Sequence, residues 1–232
     1  MKTVVLDGLS FELHPSPRRR TVEITVDRDG GLVLACPTET TLDDLAQVVR
    51  QRRLWIYRRL AEKEALSAAA SPKEYVSGEG FLYLGRSYRL KIVPANAQQP
   101  PLRLCHSRFE LRRDAQSEGR ERFIHWYTAQ LERRVPEQVA ALALRVGNAP
   151  HSVHVRDLGF RWGSCGRKRD LYVHWRVATL PLTIIEYVVA HEMVHLVCRR
   201  HNDEFWQRLE RLVPDCLERG RWLATHGAAY SL

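Results

Sequence analysis

The sequence lacks the features of several protein classes. No run of 18 apolar residues occurs in the 232-residue chain, so we expect no transmembrane helix. The first segment, Met1–Asp7, has too few apolar residues for a secretory signal. The five cysteines are odd in number and form no C-x-x-C pair, which indicates neither a disulfide framework nor a cysteine zinc site. A reduced protein of the cytoplasm is the simplest interpretation.

Acidic residues are also in deficit, since 36 Lys and Arg stand against 27 Asp and Glu, a net charge of +9. The basic residues cluster at Arg18–Arg20, Arg50–Arg59 and Arg199–Arg200. This charge favours nucleic acid or another polyanion as a partner, and the alternative is an ordinary solvated surface. Trp55 and Tyr57 lie among these arginines and are equally compatible with a packed helix face.

The most informative segment is His191–His195, which has the pattern H-E-x-x-H. On a helix, residues i and i+4 share one face, so His191 and His195 can bind one zinc ion together. Glu192 would lie beside the first ligand, as a general base for hydrolysis. His201 follows six positions after His195 and is the candidate third ligand. Three protein ligands with one open position are typical of a catalytic zinc site.

The surrounding residues support this interpretation. We expect a largely buried helix from Thr183 to Arg200, opened by Pro181 and a capping box of Thr183 with Glu186. Buried histidine and glutamate side chains without partners cost about 1–3 kcal/mol each, so their presence indicates a use. The alternative is that the histidines are core residues bonded to the backbone.

A turn before a second helix, capped by Asn202 or Asp203, would bring His201 back to the first helix. The alternative for His201 is an ordinary surface histidine. The glycine of the H-E-x-x-H-x-x-G-x-x-H pattern is missing, which disfavours the metzincins.

Several motifs together resemble the YgjP-like metallopeptidase family, which is close to the SprT-like proteases. The similarity is dense from about Asp157 to Leu223 and looser upstream. The motifs are, in order, Arg161–Cys165 (R-W-G-S-C), Val173–Arg176, Leu180–Pro181, Tyr187–Glu192, His201 and Phe205–Trp206.

The resemblance implies a minimal zincin core with His191, His195 and His201 as ligands of one zinc ion per chain, and with Glu192 as the catalytic residue. It also implies a protein or peptide substrate. The family usually has asparagine where this chain has His174, so His174 either lines the site or packs beside it. The SprT-like relatives include proteases that act on DNA-attached proteins, which makes nucleic acid a partner to test by analogy.

The overall pattern predicts an α+β fold, with a β-rich N-terminal part before the zincin core. No internal repeat is evident. We place the boundary near Asp114–Glu118, which gives domains 1–115 and 116–232. The expected strands are 9–14, 21–26 and 32–36, with a turn at 29–31, then hairpins at 78–93 and 102–112, and strands 151–156 and 171–177. The expected helices are 41–70, 117–146 with a kink or split at Pro136, 183–200 and two short C-terminal ones.

Further site residues are hypotheses. The strand at 171–177 is a candidate edge strand for an extended substrate. Tyr172 and His174 are candidates for a second oxyanion donor. Trp162 is a candidate wall of the site, between this strand and the helix that carries His191 and His195, which we call the metal helix. Arg161 either binds a substrate carboxylate or a phosphate, or pairs with an acidic neighbour, and we expect the pairing. A binding module without peptidase activity is the alternative function, and a fourth protein ligand such as His174 would favour it.

Overall fold

The computed structural model describes residues 2–26, 31–67, 73–159, 161–230 and 232. The chain forms two compact units, which divide between Ala70 and Ser71. Each unit has its own hydrophobic core, the first small and the second large. Within the described ranges there are eleven strands in three sheets and five α-helices, which confirms the predicted mixed fold with a β-rich N-terminal part.

The first unit is a four-stranded sheet followed by one long helix. The strand order is β1-β2-β4-β3, in which the outer pairs are antiparallel and the central pair is parallel. The strands are β1 (Lys2–Leu6), β2 (Leu9–Pro15), β3 (Glu23–Val26) and β4 (Leu32–Cys36). The three predicted strands are confirmed, whereas β1 escaped prediction. The predicted turn residues Asp29 and Gly30 lie outside the described residues.

Helix α1 (Leu42–Ser67) begins with reciprocal bonds between a threonine and an aspartate. Thr41 Oγ1 accepts the Asp44 N–H at 3.2 Å, and the Asp44 carboxylate accepts the Thr41 N–H at 3.3 Å. This capping box satisfies donors that the first turn of a helix leaves free. The predicted start is therefore confirmed, while residues 68–70 of the predicted end lie outside the described ranges.

The second unit begins with another four-stranded sheet and a long helix, α2 (Gly119–Val146). Its strand order is β5-β6-β8-β7, again with a parallel central pair. Both predicted hairpins are confirmed. The strands are β5 (Gly80–Tyr83), β6 (Arg86–Val93), β7 (Leu102–Cys105) and β8 (Arg108–Arg112). Helix α2 continues through Pro136, so the predicted split does not occur. Val135 and Val139, which lie before and after the proline, are buried, and their packing stabilises the helix on both sides of it.

The two four-stranded sheets share one topology, which the sequence did not reveal. In each, two antiparallel hairpins join through a parallel pair, and a long helix follows. The first hairpin turns also correspond, since Asp7 and Gly8 have φ of 51° and 79°, and Leu84 and Gly85 have 51° and 78°. The repeated feature is backbone geometry, which very different side chains can adopt.

The metal helix α3 (Leu182–Val194) follows a three-stranded sheet of β9 (Ser152–Arg156), β10 (Gly163–Cys165) and β11 (Asp170–His174). The order is β10-β11-β9, so β11 is the central strand. The predicted edge position of the strand at 171–177 is therefore wrong. That strand also ends at His174, because a 3-10 turn occupies residues 175–179.

The predicted limits of the metal helix need correction. Helix α3 ends at Val194 rather than Arg200, and His195 is its C-cap. The predicted capping box is also wrong, because Pro181 occupies the N-cap and the Glu186 carboxylate accepts a bond from Arg219 at 2.7 Å. Two short helices, α4 (Asp203–Leu212) and α5 (Cys216–His226), follow as predicted.

The predicted boundary at residue 115 lies inside the second compact unit, in a 3-10 turn at Arg113–Glu118. Aromatic side chains before and after this turn share one core, with the rings of Phe81 and Phe123 stacked at 4.0 Å. The structural division is therefore at 70/71. As a division of function, domains 1–115 and 116–232 stay a prediction.

The turn between β5 and β6 positions the start of the metal helix. Leu84 N–H donates to Ala178 O at 2.8 Å, and Gly85 N–H donates to Thr179 O at 3.0 Å. Gly85 has a φ of +78°, and a Cβ at this position would lie 2.9 Å from Pro181 Cα. Glycine is therefore required here for its conformation and for the close approach to Pro181.

We predict that Gly85→Ala destabilises the second unit by about 2–4 kcal/mol, from left-handed backbone strain plus overpacking. Gly147→Ala is the matched control, because Gly147 has a φ of +74° but nothing within 4 Å of its Cβ position. Urea unfolding of both variants measures the difference. Equal losses in the two variants would show that contact with Pro181 contributes nothing.

Candidate metal centre

The end of helix α3 presents two histidines towards one point. His191 and His195 are one turn apart, with ring centroids separated by 5.0 Å. His195 Nδ1 lies 3.1 Å from the Cys198 carbonyl oxygen, which can only accept a bond, so Nδ1 carries the proton. This leaves His195 Nε2 as a lone-pair donor. A backbone carbonyl behind a metal-binding histidine is a common orienting contact.

The chain returns to the helix through a tight loop that ends at Asn202. The Asn202 side chain accepts the Phe205 N–H at 3.1 Å and so caps α4, as the sequence predicted. The Cys198 thiol lies 3.1 Å from the same Asn202 oxygen. This loop carries His201 back to the end of α3, where its Nε2 lies 3.0 Å from His191 Nε2.

Three imidazole nitrogens thus converge, within 4.8 Å of one another. A tetrahedral zinc ion with bonds of about 2.0–2.1 Å separates its ligand atoms by about 3.3 Å, so these residues fit such an ion. Among the described residues, no further histidine, cysteine or carboxylate joins this cluster.

Phe205 forms a common apolar support for the three rings. It is fully buried, and its ring centroid lies 4.9, 4.7 and 4.6 Å from those of His191, His195 and His201. Phe205 thus contacts each candidate ligand, which restricts the rotation of all three rings.

The environment keeps the three histidines neutral. Burial is the main cause that lowers the pKa of His191 to about 3, with contributions from His195 and His201. Burial also lowers the pKa values of His195 and His201. Neutral imidazole is the form that binds a metal. His191 Nδ1 is buried without a hydrogen-bond partner among the described residues.

Glu192 lies buried next to this cluster, with 8% of its surface exposed. Burial raises the pKa of its carboxyl to about 8, although Arg161 and the Cys165 N–H both act to lower it. A pKa near neutrality suits a group that must both accept and release a proton.

Gly163, at the start of β10, makes room for the Glu192 side chain. A Cβ on Gly163 would lie 2.6 Å from Glu192 Cγ and 2.8 Å from Oε1. Any other residue at this position would displace the carboxylate. The glycine of the R-W-G-S-C motif therefore has a steric role that its sequence context alone does not reveal.

A sequence model of the YgjP-like metallopeptidase domain matches residues 20–226 of the 232-residue chain. The chain belongs to the YgjP-like metallopeptidase family. The match extends far upstream of the metal helix and includes most of the first compact unit. Comparisons with curated proteins and with solved structures gave no significant match.

Membership of the YgjP-like family supports a metal-dependent peptidase that acts on proteins or peptides. The chain supplies a histidine triad of the kind such an enzyme needs. Within the described ranges, no helix is long and apolar enough to cross a bilayer.

His174 has other partners for both ring nitrogens. Its Nε2 lies 3.2 Å from Asp157 Oδ1, and its Nδ1 accepts the Arg176 N–H at 3.0 Å. Asp157 also accepts a bond from Trp175 Nε1 at 3.2 Å. With both nitrogens engaged, His174 is not available as a fourth metal ligand.

The structure places Tyr172 and Trp162 against other parts of the second unit. The Tyr172 ring stacks on His154 at 5.3 Å, and the Arg156 guanidinium lies 4.1 Å from its centre. Trp162 is half-buried and lies close to Gly227, where a Cβ would approach its ring to 2.8 Å. Roles for Tyr172 and His174 in oxyanion binding, and for Trp162 as a site wall, stay predictions.

We predict that the metal-free Glu192→Gln variant is more stable than the metal-free wild type at pH 8.5. Folding raises the pKa of Glu192, so the free energy of unfolding falls once the pH exceeds the pKa of this group in the unfolded chain. The glutamine variant has no such loss. The gain should be about 2–5 kcal/mol at pH 8.5 and should shrink towards pH 5. Urea unfolding in chelator tests this, and a gain independent of pH would contradict a buried, strained carboxylate.

Proposed function

We propose that this protein is a zinc peptidase in which His191, His195 and His201 hold the metal and Glu192 is the catalytic residue. The observation that carries the proposal is the convergence of three neutral imidazoles beside a buried carboxylate. Imidazole ligation makes zinc the first choice among divalent ions. Three ligands leave a position open for water and substrate, as a catalytic site requires.

When bound, zinc supplies Lewis acidity, which makes water a nucleophile near neutral pH and stabilises negative charge on a peptide carbonyl oxygen. Glu192 then has two tasks. Its carboxylate accepts the proton of the attacking water and passes it to the departing amine. The Cys165 N–H favours the ionised carboxylate, whose pKa it lowers.

The free edge of β10 is suited to an extended substrate. Trp162 C=O accepts the His174 N–H at 2.9 Å, and Gly166 N–H donates to Asp170 O at 2.7 Å. The backbone groups of the two residues that flank β10 therefore point towards β11. Backbone groups alternate along a strand, and those of Gly163 and Cys165 therefore point away from β11. The bond from Cys165 N–H to Glu192 supports this direction. We infer that the substrate backbone pairs along this edge, past Glu192.

The alternative of a binding module with a structural zinc is less well supported. Structural sites normally have four protein ligands, and the described residues supply three. An association with nucleic acid stays a prediction. Helix α1 provides an observation in its favour, because Leu54 is 88% exposed and Trp55 and Tyr57 are also exposed among the arginines. A cytoplasmic location likewise stays a prediction from composition.

We predict that Glu192→Gln binds zinc as the wild type does but cleaves peptides at least about 100-fold more slowly, because the proton acceptor is lost. Casein and quenched fluorescent peptides measure cleavage, and elemental analysis measures zinc. One zinc per chain in both proteins with cleavage only in the wild type is the expected result. Equal cleavage by both proteins would remove Glu192 from the mechanism.

We predict that His201→Ala lowers zinc affinity at least about tenfold, because it removes one of three ligands. The control is His226→Ala, since His226 is exposed on α5, where its Nδ1 bonds the Trp222 carbonyl oxygen at 3.0 Å. Competition with a chromogenic chelator gives both affinities. An unchanged affinity in His201→Ala would assign His201 to the surface and leave the site incomplete.

A further inference from the structure

Basic side chains surround the free edge of β10. Arg161 lies two positions before this strand and donates to Ser164 Oγ, in the middle of the strand, at 3.2 Å. Its positive charge also lowers the pKa of the Glu192 carboxyl. The loop after the strand carries Arg167, Lys168 and Arg169 in succession. Both ends of the edge therefore carry positive charge.

The segment after the metal helix adds to this charge. Arg199 donates to the Arg167 carbonyl oxygen at 3.4 Å, which connects the end of the metal-binding segment to the loop after β10. Arg199 and Arg169 also act electrostatically on the Cys165 thiol, in the middle of this surface. Arg200 follows directly and is exposed. We call this set of residues, 161, 167–169 and 199–200, the basic rim.

Fewer acidic than basic groups lie near the basic rim. Asp170 keeps its negative charge there, because its partner Ser152 Oγ, at 2.7 Å, is neutral. Glu204 pairs with Arg208 at 2.8 Å within α4. Within the described ranges, four members of the rim take part in no ion pair, namely Arg167, Lys168, Arg199 and Arg200. Their charges are available to an incoming group.

We propose that the site selects acidic polypeptide segments, with Asp or Glu on both sides of the cleaved bond. This inference rests on the proposed peptidase function. Arg161 lies two positions before the three-residue strand β10, and Arg167 lies two positions after it. A substrate paired with β10 would therefore have a guanidinium beyond each end of the paired segment. Positive charge around a cleft raises the local concentration of negatively charged substrates.

A matched set of quenched fluorescent peptides tests the proposal. The peptides share one central sequence and differ only in flanks of Asp and Glu, of Asn and Gln, or of Lys. The zinc-loaded wild type should show a kcat/KM about tenfold higher for acidic than for neutral flanks, and the lowest value for Lys flanks. The ratio should fall in 0.5 M NaCl, because salt screens exposed charges.

Charge reversal identifies the residues responsible. The double variant Arg167→Glu/Arg199→Glu should lose the preference for acidic flanks or invert it, while its zinc content and melting temperature stay near those of the wild type. Arg133→Glu is the control, because Arg133 is exposed on α2 beside the groove next to β7. It should keep the wild-type preference. The milder Arg199→Gln, expected to reduce the ratio partially, replaces the double variant if that protein misfolds.

A binding measurement separates this inference from the peptidase function. Fluorescence anisotropy of labelled peptides with zinc-loaded Glu192→Gln should show tighter binding of acidic than of neutral flanks. Such binding without cleavage by the wild type would contradict the peptidase and keep the acidic selectivity. Cleavage of all three peptides at equal rates would keep the peptidase and overturn the selectivity. A single-stranded oligonucleotide of equal charge serves as a competitor. If it displaces the labelled acidic peptide at a lower concentration than the unlabelled acidic peptide does, the selectivity for acidic polypeptides is wrong and nucleic acid is the better ligand.

Discussion

The site depends on the chain turning back directly after His195. A helix alone can offer two histidines at i and i+4, but a third histidine at the same point must come from outside the helix. The structure meets this constraint by ending α3 at Val194 and by fixing the following loop through Cys198, whose carbonyl oxygen holds His195 and whose thiol contacts Asn202. Asn202 in turn caps α4, which supplies Phe205 beneath all three imidazoles. One short loop therefore sets ligand direction, helix start and apolar support.

The second requirement is a place for the Glu192 carboxylate. It lies between the metal helix and β10, where Gly163 leaves space for it and the Cys165 N–H bonds it. The segment just before the metal helix is fixed by contacts from far upstream, since the turn at Leu84 and Gly85 bonds the carbonyl oxygens of residues 178 and 179 and lies against Pro181. The β-rich segment of the second unit thus shares a hydrophobic core with the helix that carries His191 and Glu192, and the first unit ends near residue 70.

Local patterns predicted which histidines come together better than they predicted the topology. The spacing of His191, His195 and His201 and the cap at Asn202 were readable because each depends on neighbours within one or two turns. The end of α3 could not be predicted in this way. Leu196, Val197 and Cys198 continue an apolar helical pattern, and only the return of the chain interrupts it. The order of β9, β10 and β11 depends on pairing between distant segments, and so does the repeated topology of the two larger sheets. No local signal specifies either.

The proposed site is an open zinc centre with three imidazole ligands. X-ray absorption spectroscopy of the zinc-loaded protein would identify these ligands. We predict one zinc per chain with three nitrogen ligands at about 2.0–2.1 Å and a remaining light-atom ligand from water. A sulfur ligand at about 2.3 Å, from Cys165 or Cys198, or a fourth imidazole would contradict it.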